Sequence, residues 1–347
     1  MTSEQRTENI PALTVSPLRV AVLIPCYNEA PTIGKVVRDF KAELPEAEIY
    51  VFDNDSTDQT VHEAQRAGAT VQREHRRGKG YVLRSMFRQI EADIYVMVDG
   101  DDTYPADRVR DLIRPIVNDE AEMVVGSRLL GGASSGFKAP NLIGNQFFRI
   151  LLNTLFRVQL TDLLSGYRAL SRRVVKGLPF FSHGFECETE LTVKCLQRGE
   201  RVLEIPVNLS ARPPGSRSKI HFLRDGFLIL NTLLALARDY RPGFIFGSMG
   251  LILCAGGMVP GVTVVMEYMA SGQILRLPSA VLAVGMIICG LLVGFAGLAL
   301  HSISRHFQEL DYQLQELLEH QSRASGHSSE RRIITNSGPP PMARPEE

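Results

Sequence analysis

The run Ile94-Tyr95-Val96-Met97-Val98-Asp99-Gly100-Asp101-Asp102-Thr103 sets five apolar residues directly before an acidic turn. A short apolar run bounded by turn residues is the pattern of a buried strand. Carboxylates at the C-terminal end of such a strand sit where open α/β sheets bind ligands. Asp99 and Asp101 can share one divalent cation on a diphosphate, because magnesium takes one or two carboxylates and fills its shell with phosphate oxygens and water. Alone, the same turn reads more readily as the cap of a helix starting near Pro105, so its surroundings decide its meaning.

Upstream, strand-like and helix-like runs alternate, which predicts βαβ units and a largely parallel sheet. RVAVLIP (19–25) reads as a strand followed by the loop Cys26-Tyr27-Asn28-Glu29-Ala30. Pro31 then opens a helix with an apolar stripe at Ile33, Val36, Val37 and Phe40. Residues 49–52 form a second strand ending in Asp53-Asn54-Asp55-Ser56-Thr57-Asp58, a segment rich in helix-capping side chains. A short strand at 70–72 and the basic turn Arg76-Arg77-Gly78-Lys79-Gly80 precede a helix. Downstream, the pattern predicts a strand at 123–126, helices at 144–156 and 185–197, and a strand at 202–209. The basic loop Arg212-Pro213-Pro214-Gly215-Ser216-Arg217-Ser218-Lys219 follows.

Two uncharged apolar stretches, 243–266 and 277–300, are each on the order of 23 residues, enough to cross about 30 Å of hydrocarbon. Arg238 and Arg241 precede the first, Arg305 and His306 follow the second, and Arg276 lies between them. The positive-inside rule then predicts a hairpin with both chain ends in the cytoplasm; a buried hairpin in a soluble protein is the weaker alternative. In the segment before them, Leu223, Phe227, Leu230, Leu234 and Ala237 share one face opposite Arg224, Asn231 and Arg238, the pattern of a helix lying in the membrane interface. The expected division is a flexible 1–17, a catalytic domain at 18–220, an interfacial helix at 221–241, a membrane hairpin at 242–303 and a tail at 304–347. That tail should be helical to about 320 and disordered beyond. Residues 1–17 are polar, without the apolar core of a signal peptide. The 38 basic and 38 acidic residues balance, so bulk charge gives no case for nucleic-acid binding. Five scattered cysteines offer neither metal-ligand spacing nor a disulfide framework.

Together these motifs resemble the nucleotide-sugar-binding half of the GT-A glycosyltransferases of family 2. Gly126-Ser127-Arg128, Ser165-Gly166-Tyr167-Arg168 and the Ser218-Lys219 loop narrow the resemblance to the polyprenyl-phosphate glycosyltransferases, which include dolichol-phosphate mannose synthase and bacterial two-span enzymes. The resemblance runs from about Val20 to Pro242. It implies that Pro25, Tyr27, Glu29 and Asp53 line the base and ribose pocket, and that Asp99 and Asp101 meet the diphosphate and Mg2+ or Mn2+. Lys79 would join them on the donor, at a helix N-terminus suited to phosphate. Two departures stand out: Asn54-Asp55 where Asp-Gly is common, and Thr103 where a metal-contacting Gln often stands, leaving Asp102 or water to complete the metal shell.

Arg128 and Arg168 follow small residues at turns and read as phosphate-gripping guanidiniums, grouped with Asp101 as catalytic. Arg212, Ser218 and Lys219 are placed to meet an anionic lipid head group. Glu188 and Glu190 are further candidates, although Glu190 with Lys194 is also a plain i, i+4 pair. A phosphate monoester acceptor, with a second pKa near 6, needs little help from a base. The expected reaction is therefore a single inversion from a nucleotide sugar (UDP- favoured over GDP-sugar) to a polyprenyl phosphate, undecaprenyl phosphate by the two-span layout. The enzyme is expected in the inner (cytoplasmic) membrane, as a homo-oligomer. A processive polysaccharide synthase is disfavoured because its Gln-x-x-Arg-Trp motif needs a tryptophan and the chain has none. The other alternative, a silent membrane scaffold, leaves the charged motifs without a purpose.

Overall fold

The computed structural model of the chain describes residues 18–130, 139–156, 159–184, 186–210, 213, 222–274 and 276–335. In chain order its elements begin with β1 (Val20–Cys26), α1 (Ile33–Glu43), β2 (Glu48–Asp53), α2 (Thr60–Arg66), β3 (Thr70–Arg73), α3 (Lys79–Gln89) and β4 (Ile94–Met97). After them come α4 (Val109–Val117), β5 (Met123–Ser127), α5 (Ala139–Phe156), β6 (Arg168–Ser171), α6 (Arg172–Gly177), α7 (Cys187–Gln197) and β7 (Val202–Pro206). The chain continues through α8 (Phe222–Tyr240), α9 (Pro242–Ser271) and α10 (Leu277–Thr335).

The strands form one sheet in the order β3-β2-β1-β4-β6-β5-β7. Every neighbouring pair is parallel except those of β6, which runs antiparallel to β4 and β5. From β1 the chain winds outward to β2 and β3, then crosses back to lay β4 on the other side of β1. That reversal opens a crevice between the C-terminal ends of β1 and β4, where doubly wound sheets place their ligands. The loop after Cys26 and the acidic turn after β4 flank it.

Alternation along β1 sends side chains to both faces of the sheet. Val22, Ile24 and Cys26 join a core with Ile33, Val37 and Phe40 of α1 and Leu112 of α4. Ala21 and Leu23 join the opposite core with Leu83 and Met86 of α3 and Leu191 of α7. β4 is buried throughout, as a central strand covered on both faces should be.

The chain divides into two compact units, 1–236 and 237–347. In the second, α9 and the first half of α10 are long and apolar enough to cross a membrane: Pro242–Ser271 and Leu277–Phe307, with 17 % of the most apolar window buried in each. So much exposed apolar surface does not suit a hairpin hidden in a soluble core. The two helices meet through glycines, as helices in hydrocarbon do when backbones approach closely. A Cβ added at Gly250 would lie 2.6 Å from the Gly290 carbonyl oxygen, and one at Gly257 2.9 Å from that of Ala283.

Three expectations change. Residues 168–171, read as part of a turn, form the antiparallel strand β6, because Ala169 and Leu170 alternate between the two buried faces. The helix beyond the second span does not stop near 320 but runs to Thr335. In α8, Phe227 and Leu234 of the expected interfacial face are exposed, but Ala237 of the same face is buried, as are Ile229 and Leu233.

Candidate active site

The acidic turn is locked in place before any ligand is considered. Thr32 Oγ1 donates to the Gly100 carbonyl at 2.7 Å, and a Cβ at Gly100 would come within 2.6 Å of Cys26 Sγ. The backbone of the turn thus rests against the end of β1, a close approach only glycine permits. Asp101 is buried, and its Oδ1 accepts the Thr103 hydroxyl at 2.6 Å. Thr103, the departure from the family pattern, therefore orients Asp101. Asp102 adopts a left-handed φ of 57° and pairs with Lys35 at 2.8 Å, so of the two candidates for the open metal position, Asp102 and water, the first has its carboxylate engaged within the chain.

Lys79 is the centre of charge. Its Nζ donates to Asp99 Oδ1 at 2.6 Å and lies 2.5 Å from Glu188 Oε1, joining the strand-end motif to α7. Burial works against the ammonium, but Asp99 and Glu188 outweigh it and hold Lys79 well above the usual lysine range. Burial lifts the Asp99 carboxyl above its ordinary value, Lys79 opposes, and the like charge of Asp101 adds to the rise. Burial would lift Glu188 too, but Lys79 and the Cys187 thiol bring it below the usual carboxylate range.

Two devices fix the turn that carries Lys79. Asn54 donates through Nδ2 to the carbonyls of Glu74 (2.9 Å) and Arg76 (2.8 Å), while its Oδ1 accepts the Gly78 amide at 2.8 Å. This explains why Asn stands there: an aspartate would set two carboxylate oxygens against carbonyls. On the other side, Gly80 N–H donates to His183 O at 3.1 Å, and a side chain at Gly80 would run into the Ser182 carbonyl. Glu190 holds that opposing loop through the amides of Phe181 and Ser182 and pairs with Lys194. Glu186 does the same for His183 and Gly184. The amides of Gly78 and Gly80 are thus engaged within the chain. The cation, rather than the helix end, faces the acidic turn.

Glu74 braces the same turn, chelating Arg76 through Nε and Nη2, each at 2.9 Å, and accepting from Ser85. Arg76 draws the Glu74 carboxyl down to about 2, against opposition from burial and with help from Ser85. A carboxyl depressed in the fold stabilises it above the unfolded value of 4.5 and loses that contribution as pH falls toward about 2. Glu74→Gln should therefore lower Tm by about 2–4 °C at pH 7. The gap should close over that acid window in thermal melts of the full chain.

The two arginines read as phosphate grips are differently employed. Arg168 is completely buried: Nε donates to Ser165 O at 2.8 Å, Nη2 to Leu163 O at 2.8 Å and Nη1 to Thr192 Oγ1 at 2.7 Å. Burial pushes its guanidinium below arginine's usual range, with Glu188 opposing. Arg168 is therefore a positioning residue that ties the 163–165 loop to the turn of α7 bearing Glu188. Arg168→Lys, which loses the planar fork, should cost about 1.5–3 kcal/mol of stability. Acceptor kinetics at low temperature should stay near wild type. Arg128 closes its fork on Asp162, Nε to Oδ2 at 2.6 Å and Nη2 to Oδ1 at 2.7 Å. A carboxylate of the chain thus holds the groups expected to grip phosphate. Glu204 on β7 in turn accepts the amides of Thr161 and Asp162.

On the β1–β2 side, Arg77 stacks 4.1 Å above the Tyr27 ring, a cation–π contact. Pro25 is half-buried, Glu29 is buried with its amide donating to Thr60 Oγ1 at 2.8 Å, and Asp53 is fully buried, accepting the Ser56 amide at 3.1 Å. Gly166 lies against Asp99, since a Cβ there would strike its carboxylate. Arg212, Ser218 and Lys219 lie outside the described residues. Asn54 stood out only as a departure from the pattern, and Asp162, Glu186 and Glu204 carried no sequence signal, because single polar residues acquire these roles only through partners 2 to 43 positions away.

Asp99 and Asp101 fit a divalent cation by the chemistry of their donors. They are hard oxygens two residues apart, close enough that one charge raises the pKa of the other. Among the described residues no group of three or more His, Cys, Asp or Glu side chains could hold a metal. A pair of carboxylates suits an ion that completes its shell with diphosphate oxygens and water.

A mostly parallel sheet with an acidic turn, a buried lysine and a glycine-bearing loop at its switch point defines a GT-A-like glycosyltransferase. The chain belongs to glycosyl transferase family 2, whose model matches residues 21–178. It is 34 % identical to glycosyltransferase AglJ of Haloferax volcanii over 70 % of this chain and 80 % of that one. It is 28 % identical to a dolichyl-phosphate hexose transferase of the same organism, over 64 % and 95 %. Its fold also matches glucosyl-3-phosphoglycerate synthase of Mycobacterium tuberculosis, crystallised with Mn2+, UDP and phosphoglyceric acid. There the TM-score is 0.52 and the identity 24 %, covering 63 % of this chain and 78 % of that one.

Proposed function

We propose that this glycosyltransferase moves a sugar, with inversion, from a nucleoside diphosphate donor to a polyprenyl phosphate at the cytoplasmic face of the inner membrane. A UDP-sugar and undecaprenyl phosphate are the favoured pair. The observation that carries this reading is the Asp99–Lys79–Glu188 cluster beside Asp101, in a chain that also bears two helices long enough to span a membrane. The kinship with a dolichyl-phosphate hexose transferase supports the lipid acceptor.

Pro25, Tyr27, Glu29 and Asp53 line the nucleoside end of the crevice in this reading, with Lys79 and Asp99 at the diphosphate. A divalent cation, Mg2+ or Mn2+, held by Asp99 and Asp101 would neutralise charge on the departing diphosphate. Lys79 stays charged and fixes the direction in which Asp99 presents its oxygens. The acceptor oxygen already bears charge at neutral pH, so the chain need only align two phosphates for displacement at the anomeric carbon and offset their repulsion. Residues 18–220 act as the catalytic part, 221–241 as a helix in the membrane interface, and 242–303 as the anchor.

Arg212, Ser218 and Lys219 hold the lipid phosphate in this scheme. Lys219→Ala or Arg212→Ala should cost about 1.5–3 kcal/mol on the acceptor side, or about 10- to 150-fold in kcat/KM for lipid phosphate. Donor affinity should hardly change, and a matching loss of donor binding would move these residues to the other site. The test of the whole reading is incubation of purified full-length protein with labelled UDP- and GDP-sugars, undecaprenyl phosphate and Mg2+ or Mn2+. Label should enter a lipid product that chelation suppresses. Label recovered only in a growing polysaccharide, or in no lipid with any donor, defeats it.

A further inference from the structure

We propose that α10, where it leaves the second span, is one strand of a parallel coiled coil whose other strand is a second copy of this chain. Ile303, Phe307, Leu310, Leu314 and Leu317 follow one another at intervals of 4, 3, 4 and 3, the a/d spacing of a heptad. All five are 52–68 % exposed, so no described residue of their own unit buries this seam. Leu300, Ala296 and Cys289 continue the same phase back into the span and are exposed as well. Away from the seam Arg305 and Glu309, an i, i+4 pair at 3.4 Å, are 72 % and 59 % exposed, and Leu318 adds one apolar position beside it.

The unbroken course of the helix favours a second copy over a membrane surface as the occupant. It cannot fold down onto the bilayer without a hinge, and no Gly or Pro occurs from 298 to 325. The span then sets the geometry. Two copies inserted alike in one bilayer carry residues 303–317 in the same direction and at the same height. Parallel orientation and register are thus set before the helices meet, and confinement to the membrane raises their effective concentration. The self-association concerns the chain beyond its catalytic residues and does not depend on the substrates assigned above.

The experiment uses the full-length protein in native membranes, with Cys289→Ala and Cys254→Ala to remove the reactive thiols of the spans. Leu310→Cys and Leu314→Cys, at successive d and a positions, should each give an oxidant-dependent disulfide dimer. Glu309→Cys on the outer face should give at least about tenfold less. Independently, Leu310→Glu with Leu314→Glu in otherwise unaltered protein should convert a dimer to a monomer by mass in lipid nanodiscs, with donor binding retained. The proposal fails if neither seam position cross-links, if position 309 cross-links equally, or if the double glutamate variant remains a dimer.

Discussion

Asp101→Ala is expected to lower sugar transfer by about 10²- to 10³-fold, the loss that follows when one preorganised group facing developing charge is removed. The side chain is buried at the end of the acidic turn, with Thr103 holding one carboxylate oxygen. Its removal strips a hard oxygen from the pair that would hold the cation, while the backbone of the turn stays anchored through Thr32 and Gly100. The variant should therefore remain folded and membrane-bound, with an unchanged melting temperature in the absence of ligand. Wild-type thermal stabilisation by UDP with Mn2+ should largely disappear in the variant, because a ligand that binds only the folded state stabilises it in proportion to its occupancy. Full activity of the wild type after exhaustive chelation would remove the metal from this account.

Lys79→Met should be the most damaging single change to the folded domain. It deletes the cation between Asp99 and Glu188, side chains respectively 30 % and 4 % exposed, and leaves Glu188 charged in the protein interior. Breaking a buried pair in this way costs about 3–5 kcal/mol, mainly from the stranded charge. Combining Lys79→Met with Glu188→Gln should recover much of that stability, because the amide no longer needs a counter-charge. Transfer activity should not return with it, since the ammonium that orients Asp99 is still missing. A double-mutant cycle read by chemical unfolding separates the two effects. If the two changes add without coupling, the ion pair is not what holds the site together.

The strand-to-turn reading of 94–103 and the alternation before it were legible because burial on both faces of a parallel sheet demands apolar runs, and its loops demand polar ends. The two helices long and apolar enough to cross a membrane were equally legible, since a helix in hydrocarbon must be apolar over its full length. β6 was not, because four residues sandwiched between two strands carry no periodicity that separates them from a turn. The heptad spacing at 303–317 lies in the sequence, but its exposure belongs to the folded chain.

The amino-acid sequence by itself determined the class of fold, the two membrane-length helices and the carboxylate pair, each a local pattern whose physics is complete within a few residues. Tertiary structure alone decided which charges meet. Lys79 lies 20 positions before Asp99, and Glu188 on α7 approaches it only because α3 and α7 cover the same face of the sheet. Arg168 lost its expected role and Asn54 acquired one for the same reason. What a polar side chain does depends on whether the fold leaves it facing water, a ligand or another residue's unmet hydrogen bond.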